Sequence, residues 1–249
     1  MLTQYRILLM PDQPCRPRAE WAYRLYAALL ERAPATFGEL VHEMTVSPVS
    51  QYLDCREDRL LWTVTLLGSE AENALGPVLE AQEPIFLNKD HVTLKLTSER
   101  TVRVADVEEL LVSSATAGER HVLDFRTPTA FKSRGKYLIL PTSRLILQSL
   151  IKKWNGSFPD CPIEDEDGEG LNALADGVLC RRYSLRDRTY FLKGNAVPGF
   201  VGTLTLGNRL RGFQRQLTDA LLAFSGYSGV GIKTSLGMGG VEHHLESKP

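Results

Sequence analysis

The sequence predicts an α+β chain of two successive β-α-β-β-α-β units, a tandem ferredoxin-like (RRM-like) architecture with a C-terminal glycine-rich loop. Three observations carry this. The strand–helix order of the first half starts again after Ser113. Charge divides at the same place, with 11 Lys/Arg and 17 Asp/Glu in residues 1–114 against 18 and 13 in residues 115–249. Six glycines then fall within the 15 residues Gly226–Gly240, directly after a helical pattern. The expected division is therefore 1–114 and 115–249.

Taken in order, residues 4–9 alternate like a strand and stop at Pro11-Asp12. Trp21, Leu25, Ala28 and Leu29 give helical spacing from about Arg18 to Arg32. Pro34 interrupts it before a second helical stretch carrying Phe37, Leu40, Val41 and Met44. Residues 59–67 are strand-like, a helix follows near 70–82, extended pieces lie at 84–87 and 91–97, and a short helix falls near 105–112. The second unit opens with a strand at 120–126 and an amphipathic helix from Leu145 to Trp154. Residues 156–172 are acidic, glycine-bearing and without a core signal, and are expected as a mobile loop. A hairpin of 179–185 and 188–194 is expected to continue through Gly199–Leu206. A helix from Arg211 to Phe224 and a strand from Val241 to Leu245 bracket the glycine-rich loop.

The 249 residues are 43% hydrophobic, enough for a packed core, which argues against disorder. No apolar run approaches the ~20 residues of a membrane span, and the N-terminal run is too short and broken for a signal peptide. Cys15, Cys55, Cys161 and Cys180 are scattered without metal-ligand spacing, so free thiols in a cytoplasmic protein are expected, with no metal and no cofactor. Setting aside the acidic run Glu164–Glu169, the second half is strongly basic, which suits a polyanion or an ordinary solvated face.

In the loop, Gly229, Gly231, Gly237 and Gly239 are expected to let backbone N–H groups approach a phosphate, with Lys233, Thr234 and Ser235 adding a charge and two hydroxyls. A P-loop fails because Ile232 separates Gly231 from Lys233, and the third glycine of a dinucleotide fingerprint is missing. A plain flexible connector would not need the interleaved Val230, Ile232, Leu236 and Met238.

The run Phe224–Val241, together with Phe125–Lys132, Gly199–Gly202, Leu40–Glu43 and Val46–Val49, resembles the CRISPR precursor-RNA processing endoribonucleases of the repeat-associated mysterious protein superfamily. The resemblance covers nearly the whole chain. It implies a ferredoxin-like fold, CRISPR repeat RNA as the partner, and metal-independent cleavage. The ribose 2′-OH would attack the adjacent phosphate, leaving a 2′,3′-cyclic phosphate and a 5′-OH. It also leaves open contacts with other CRISPR effector proteins, and a monomer or homodimer.

Such chemistry needs a base, an acid and a group that meets the charge of the phosphorane. His42 stands where the resemblance implies a catalytic histidine. At 100° per residue it projects about 140° from the Phe37/Leu40/Val41/Met44 stripe, so it is either functional or simply exposed. Tyr26, off the Trp21/Leu25/Leu29 stripe, is the expected partner, with an amphipathic surface tyrosine as the ordinary alternative. No lysine precedes Lys89, so the charge-stabilising group is left to Lys233 or an arginine. His121 reads as a cross-strand structural residue, and His243 and His244 as neighbours pointing opposite ways from a strand. Lys132, Arg134 and Lys136 around Phe131 suit phosphate contacts with one stacking ring. Arg182, with Arg181, Arg186 and Arg188, lies either along an RNA stem or on a solvated sheet edge. Two other readings remain: a non-catalytic RNA-binding subunit of a CRISPR effector complex, and a phosphometabolite site.

Overall fold

A computed structural model describes residues 1–55, 59–112 and 119–247, with the backbone alone at 42 and 98–100. The first half runs β1 (Leu2–Pro11), α1 (Trp21–Arg32), α2 (Ala35–Glu43), β2 (Val49–Asp54), β3 (Leu61–Leu67), α3 (Ser69–Glu80), β4 (Ile85–Leu87), β5 (Val92–Ala105) and α4 (Val107–Val112). Its sheet has the antiparallel order β2-β3-β1-β5-β4. The second half runs β6 (Arg120–Thr129), β7 (Phe131–Ser133), β8 (Lys136–Leu138), α5 (Ser143–Ser157), α6 (Glu169–Gly177), β9 (Val178–Asp187), β10 (Tyr190–Leu192), β11 (Asn195–Val197), β12 (Phe200–Asn208), α7 (Gly212–Ser228) and β13 (Val241–Glu246). Its sheet order is β13-β6-β12-β9. In each unit the first strand sits between the third and the last, which is the ferredoxin-like order, repeated. The expected boundary at 114/115 lies outside the described residues.

Each sheet packs one face on helices, and β2 and β3 of the first sheet are buried on both faces. Under the first, Tyr5, Ile7, Trp62 and Val64 pack with Leu25 and Leu29 of α1 and Leu75 and Leu79 of α3. Under the second, Leu123, Phe125 and Leu204 pack with Trp154 of α5 and Leu221 and Phe224 of α7. Leu2, Leu67, Ala105 and Leu110 of the first half join this second core, so apolar packing is continuous between the units. No described helix is long and apolar enough to cross a membrane.

The structure corrects several sequence expectations. Part of the stretch expected as a mobile loop is α6, with Leu171 and Leu174 buried. The acidic run stands at its N-terminus: both Asp165 carboxylate oxygens accept N–H bonds, from Gly170 and Leu171, and Asp167 accepts one from Glu169. These side chains satisfy N–H groups that a helix start leaves without partners and complement its dipole. The expected 179–185/188–194 hairpin does not form either. β9 pairs with β12, while β10 turns back on β11.

Candidate functional site

A cavity of about 620 Å3 lies where the two units meet. Thr45, Val46 and Ser47 form one wall, where the chain leaves α2. Gly231–Ser235 of the glycine-rich loop form a second, and Lys132 of β7 a third. The floor is a stripe of α5. Arg144, Gln148 and Lys152, four residues apart, share one helical row, and Ser149 and Lys153 form the next. Among the described lining residues there is no carboxylate, whereas Lys132, Arg144, Lys152, Lys153 and Lys233 all border the space. The arrangement has the charge to suit an anion.

Of the expected residues, Lys132, Gly231, Lys233, Thr234 and Ser235 come together here. The α5 stripe was missed by sequence reasoning; the four-residue recurrence of Arg144, Gln148 and Lys152 is the signal that marks it.

The loop does not work as expected. Its N–H groups are largely spent inside the protein: Gly229 donates to Ser225, Val230 to Gly239, Ile232 to Ala130 and Gly239 to Pro128. Gly231 N–H donates to the Ser149 hydroxyl of α5 at 2.8 Å. Gly229, Gly237 and Gly239 are buried and do not line the cavity. What they allow is close packing. Gly231 has φ +81° and a Cβ there would meet the Ala130 carbonyl; Gly239 has φ +67° and would meet the Val230 carbonyl. The loop is thus a wedge between the units, held by Gln51 Nε2 donating to the Ser235 carbonyl at 2.8 Å and Tyr190 Oη to the Leu236 carbonyl at 2.7 Å. Lys233 takes a left-handed conformation, φ 59°, rare for a side chain with a Cβ, and starts the 3-10 turn Thr234–Leu236 beside the cavity.

Arg134 and Lys136 extend the basic wall as an exposed hairpin tip. Arg134 and Gly135 both have positive φ, as a tight two-residue hairpin turn requires. Phe131, expected to offer a stacking ring, is instead buried against Phe200, because strand alternation turns it inward. Tyr137, paired across from Lys132, is 39% exposed and is the ring that faces out. Arg182 lies apart on the edge strand β9, its guanidinium 3.0 Å from both carboxylate oxygens of Glu246.

His42 occupies the last turn of α2, three residues before Thr45; its side chain lies outside the described ones. Phe37 of the predicted stripe is buried, with Leu40 and Val41 packed beside it. Tyr26 is corrected in position: it belongs to the buried face of α1, not the surface. Burial pushes its phenol above the ordinary range, so it stays protonated at neutral pH. Its Oη lies 3.5 Å from the Ser47 hydroxyl on the cavity wall.

A second cavity of about 730 Å3, bordered by Arg6, Arg103, Tyr227, Glu242, His243 and His244, holds none of the expected site residues. In it Arg6 pairs with Glu242 at 2.7 Å, and Arg103 lies over the Tyr227 ring. Behind it His121 is buried, bonding His243 through Nδ1 at 2.9 Å and Asp219 through Nε2 at 2.8 Å, as a structural residue would.

Comparison with known proteins gives the family. The family profile described as CRISPR-associated endoribonuclease Cas6 matches residues 123–241. A curated CRISPR-associated endoribonuclease Cas6 of Mycobacterium tuberculosis is 30% identical over 226 residues, spanning 87% of this chain and 69% of that protein. The chain belongs to the Cas6 family. A Cas6 of Streptococcus thermophilus is 28% identical over 229 residues, covering 91% of this chain and 92% of the relative. Among solved structures, Thermus thermophilus Cas6 (TTHB231) superposes with a TM-score of 0.73 at 25% identity, covering 98% of both chains. A Cas6 (TTHB231) product complex superposes at 0.79 with 24% identity, covering 98% of this chain and 99% of that one. The Cas6 fold here therefore extends across both units, and the matched segment 123–241 contains the loop, α5 and Lys132.

Proposed function

We propose that the protein is an endoribonuclease that cleaves CRISPR repeat RNA in the precursor transcript, without metal, by 2′-OH attack. The observation that carries this reading is the cavity: the turn after α2, three residues past His42, faces a cluster of five basic side chains with no carboxylate among the described lining residues. An RNA phosphodiester fits such a space, and membership of the Cas6 family names the class of substrate.

Residues 1–114 supply the chemistry and residues 115–249 the grip. His42 takes the proton of the 2′-OH as the 2′-oxygen forms its bond to phosphorus. The phosphorus–O5′ bond breaks, and the 5′-oxygen takes a proton from water, giving a 2′,3′-cyclic phosphate and a 5′-OH, while His42 returns its proton to solvent. Lys233, Thr234 and Ser235 meet the phosphorane oxygens. Gly229, Gly231, Gly237 and Gly239 hold that segment in place. Tyr26 acts as a positioning residue, through Ser47. Lys132, Arg134 and Lys136 track the RNA backbone beyond the cavity, and Arg182 extends the contact to the sheet edge.

The products test this. Cleaved repeat RNA should carry a cyclic phosphate on the upstream fragment, and a single 2′-deoxy substitution at the cut site should leave the RNA intact. A 3′-OH product, or cleavage of the deoxy substrate, would refute the mechanism. Tight, salt-sensitive binding of repeat RNA without turnover would instead favour a non-catalytic subunit of an effector complex.

A further inference from the structure

Lys153 on α5 has only 8% of its surface exposed, yet it borders the cavity. Its Nζ donates to the carbonyls of Ser228 and Gly229, at 3.1 and 2.9 Å, where α7 ends and the glycine-rich loop begins. Among the described residues no carboxylate pairs with it. The charged groups that share its cavity, Lys132, Arg144, Lys152 and Lys233, are all of its own sign. A buried ammonium without a counter-charge is costly, and such groups are normally found paired. The two carbonyls, at the C-terminal end of α7, satisfy two of its three N–H bonds and offset part of the charge through the helix dipole, leaving one donor and the rest of the charge.

We propose that Lys153 is a phosphate receptor in the floor of this cavity, and that the missing counter-charge is a phosphodiester of the bound RNA. This rests on the RNA reading above. The same two carbonyls are satisfied by a neutral amine, which has two N–H groups, so the loop keeps its anchor in either state. Burial lowers the pKa of Lys153 to about 7, so part of the free protein carries the neutral form at neutral pH. A phosphate bound beside the amine favours the ammonium, and binding then takes up a proton.

The test is titration calorimetry with a repeat RNA from the host's own CRISPR array, in buffers of different ionisation enthalpy between about pH 7 and 9. Wild-type protein should take up a fraction of a proton on binding. Lys153→Met should lose that uptake and bind about tenfold more weakly, the scale of one hydrogen bond to a charged group. Lys153→Arg keeps the charge at every pH, so it should bind without proton uptake and with affinity independent of pH over this range. If Lys153→Met proves unfolded, wild type and Lys153→Arg decide the matter. Uptake that persists in Lys153→Arg, or is missing from wild type, overturns the proposal. Wild-type protein that fails to bind repeat RNA at all refutes the functional reading instead.

Discussion

The His243 ring packs between β13 and α7, bonded to His121, and burial with His121 beside it pushes its pKa down to about 3. Unfolded, the same imidazole titrates near 6.5. Between these values the unfolded chain binds a proton that the folded one refuses, so this contribution to stability is complete above pH 6.5 and falls as pH drops toward 3. Its slope is at most about 1.4 kcal/mol per pH unit. Denaturant midpoints measured from neutral pH downward should fall, and His243→Gln should flatten the fall; an unchanged slope would show that His243 is not the group responsible. Gln51 makes a second prediction at this scale. Its side chain bonds Ala22 and Ser235 carbonyls and accepts from Trp62 Nε1, all in the interior. Gln51→Ala strands those partners and should cost about 2–4 kcal/mol, read by denaturant unfolding; a cost below half of that contradicts the network. The helical wheel set His42 apart from the apolar stripe of α2 but left it either functional or simply exposed, and only the resemblance singled it out. The wheel misplaced Tyr26, because α1 is covered on two sides, by the sheet and by the 3-10 turn, and a single stripe describes one side only.

At the scale of elements, the glycine-rich loop was legible as a unit, but its physics was not. Glycines that looked like openings for a ligand are places where the chain passes close to Ala130, Val230 and Tyr52. Gly231→Ala must adopt a left-handed conformation and displace a carbonyl, at a cost of about 1–3 kcal/mol. Calorimetry should show a lower Tm, and RNA affinity should fall with it; unchanged values for both would mean the wedge is not structural. β2 was not foreseen, because Ser50, Gln51 and Asp54 give it the composition of a loop. They are buried all the same: Gln51 bonds into the wedge and Asp54 accepts from Arg126 of β6 at 2.7 Å. Polar residues spent on joining the two units break the alternation that reveals a strand. α6 escaped notice for a related reason, since its capping carboxylates read as a solvated acidic run.

Across the whole molecule, the duplication was readable because the reset after Ser113 is a local property, although β2 was missing from the order read for the first unit. The cavity was not, since it joins residues from 45 to 235 in sequence. The division of charge leaves the basic side chains on two walls and the floor, so binding should be dominated by phosphate contacts. The logarithm of repeat-RNA affinity should fall linearly with the logarithm of salt concentration, and Lys132→Met and Lys233→Met should each reduce that slope by about 1. Slopes that do not change would place the RNA elsewhere. The central claim, that His42 and this basic cavity together cut RNA without metal, is tested most directly by single-turnover cleavage of repeat RNA in EDTA. Wild-type protein should cleave to completion, and His42→Ala should bind with similar affinity but cleave at least about 10²-fold more slowly. No cleavage by the wild type, or undiminished cleavage by His42→Ala, would contradict it.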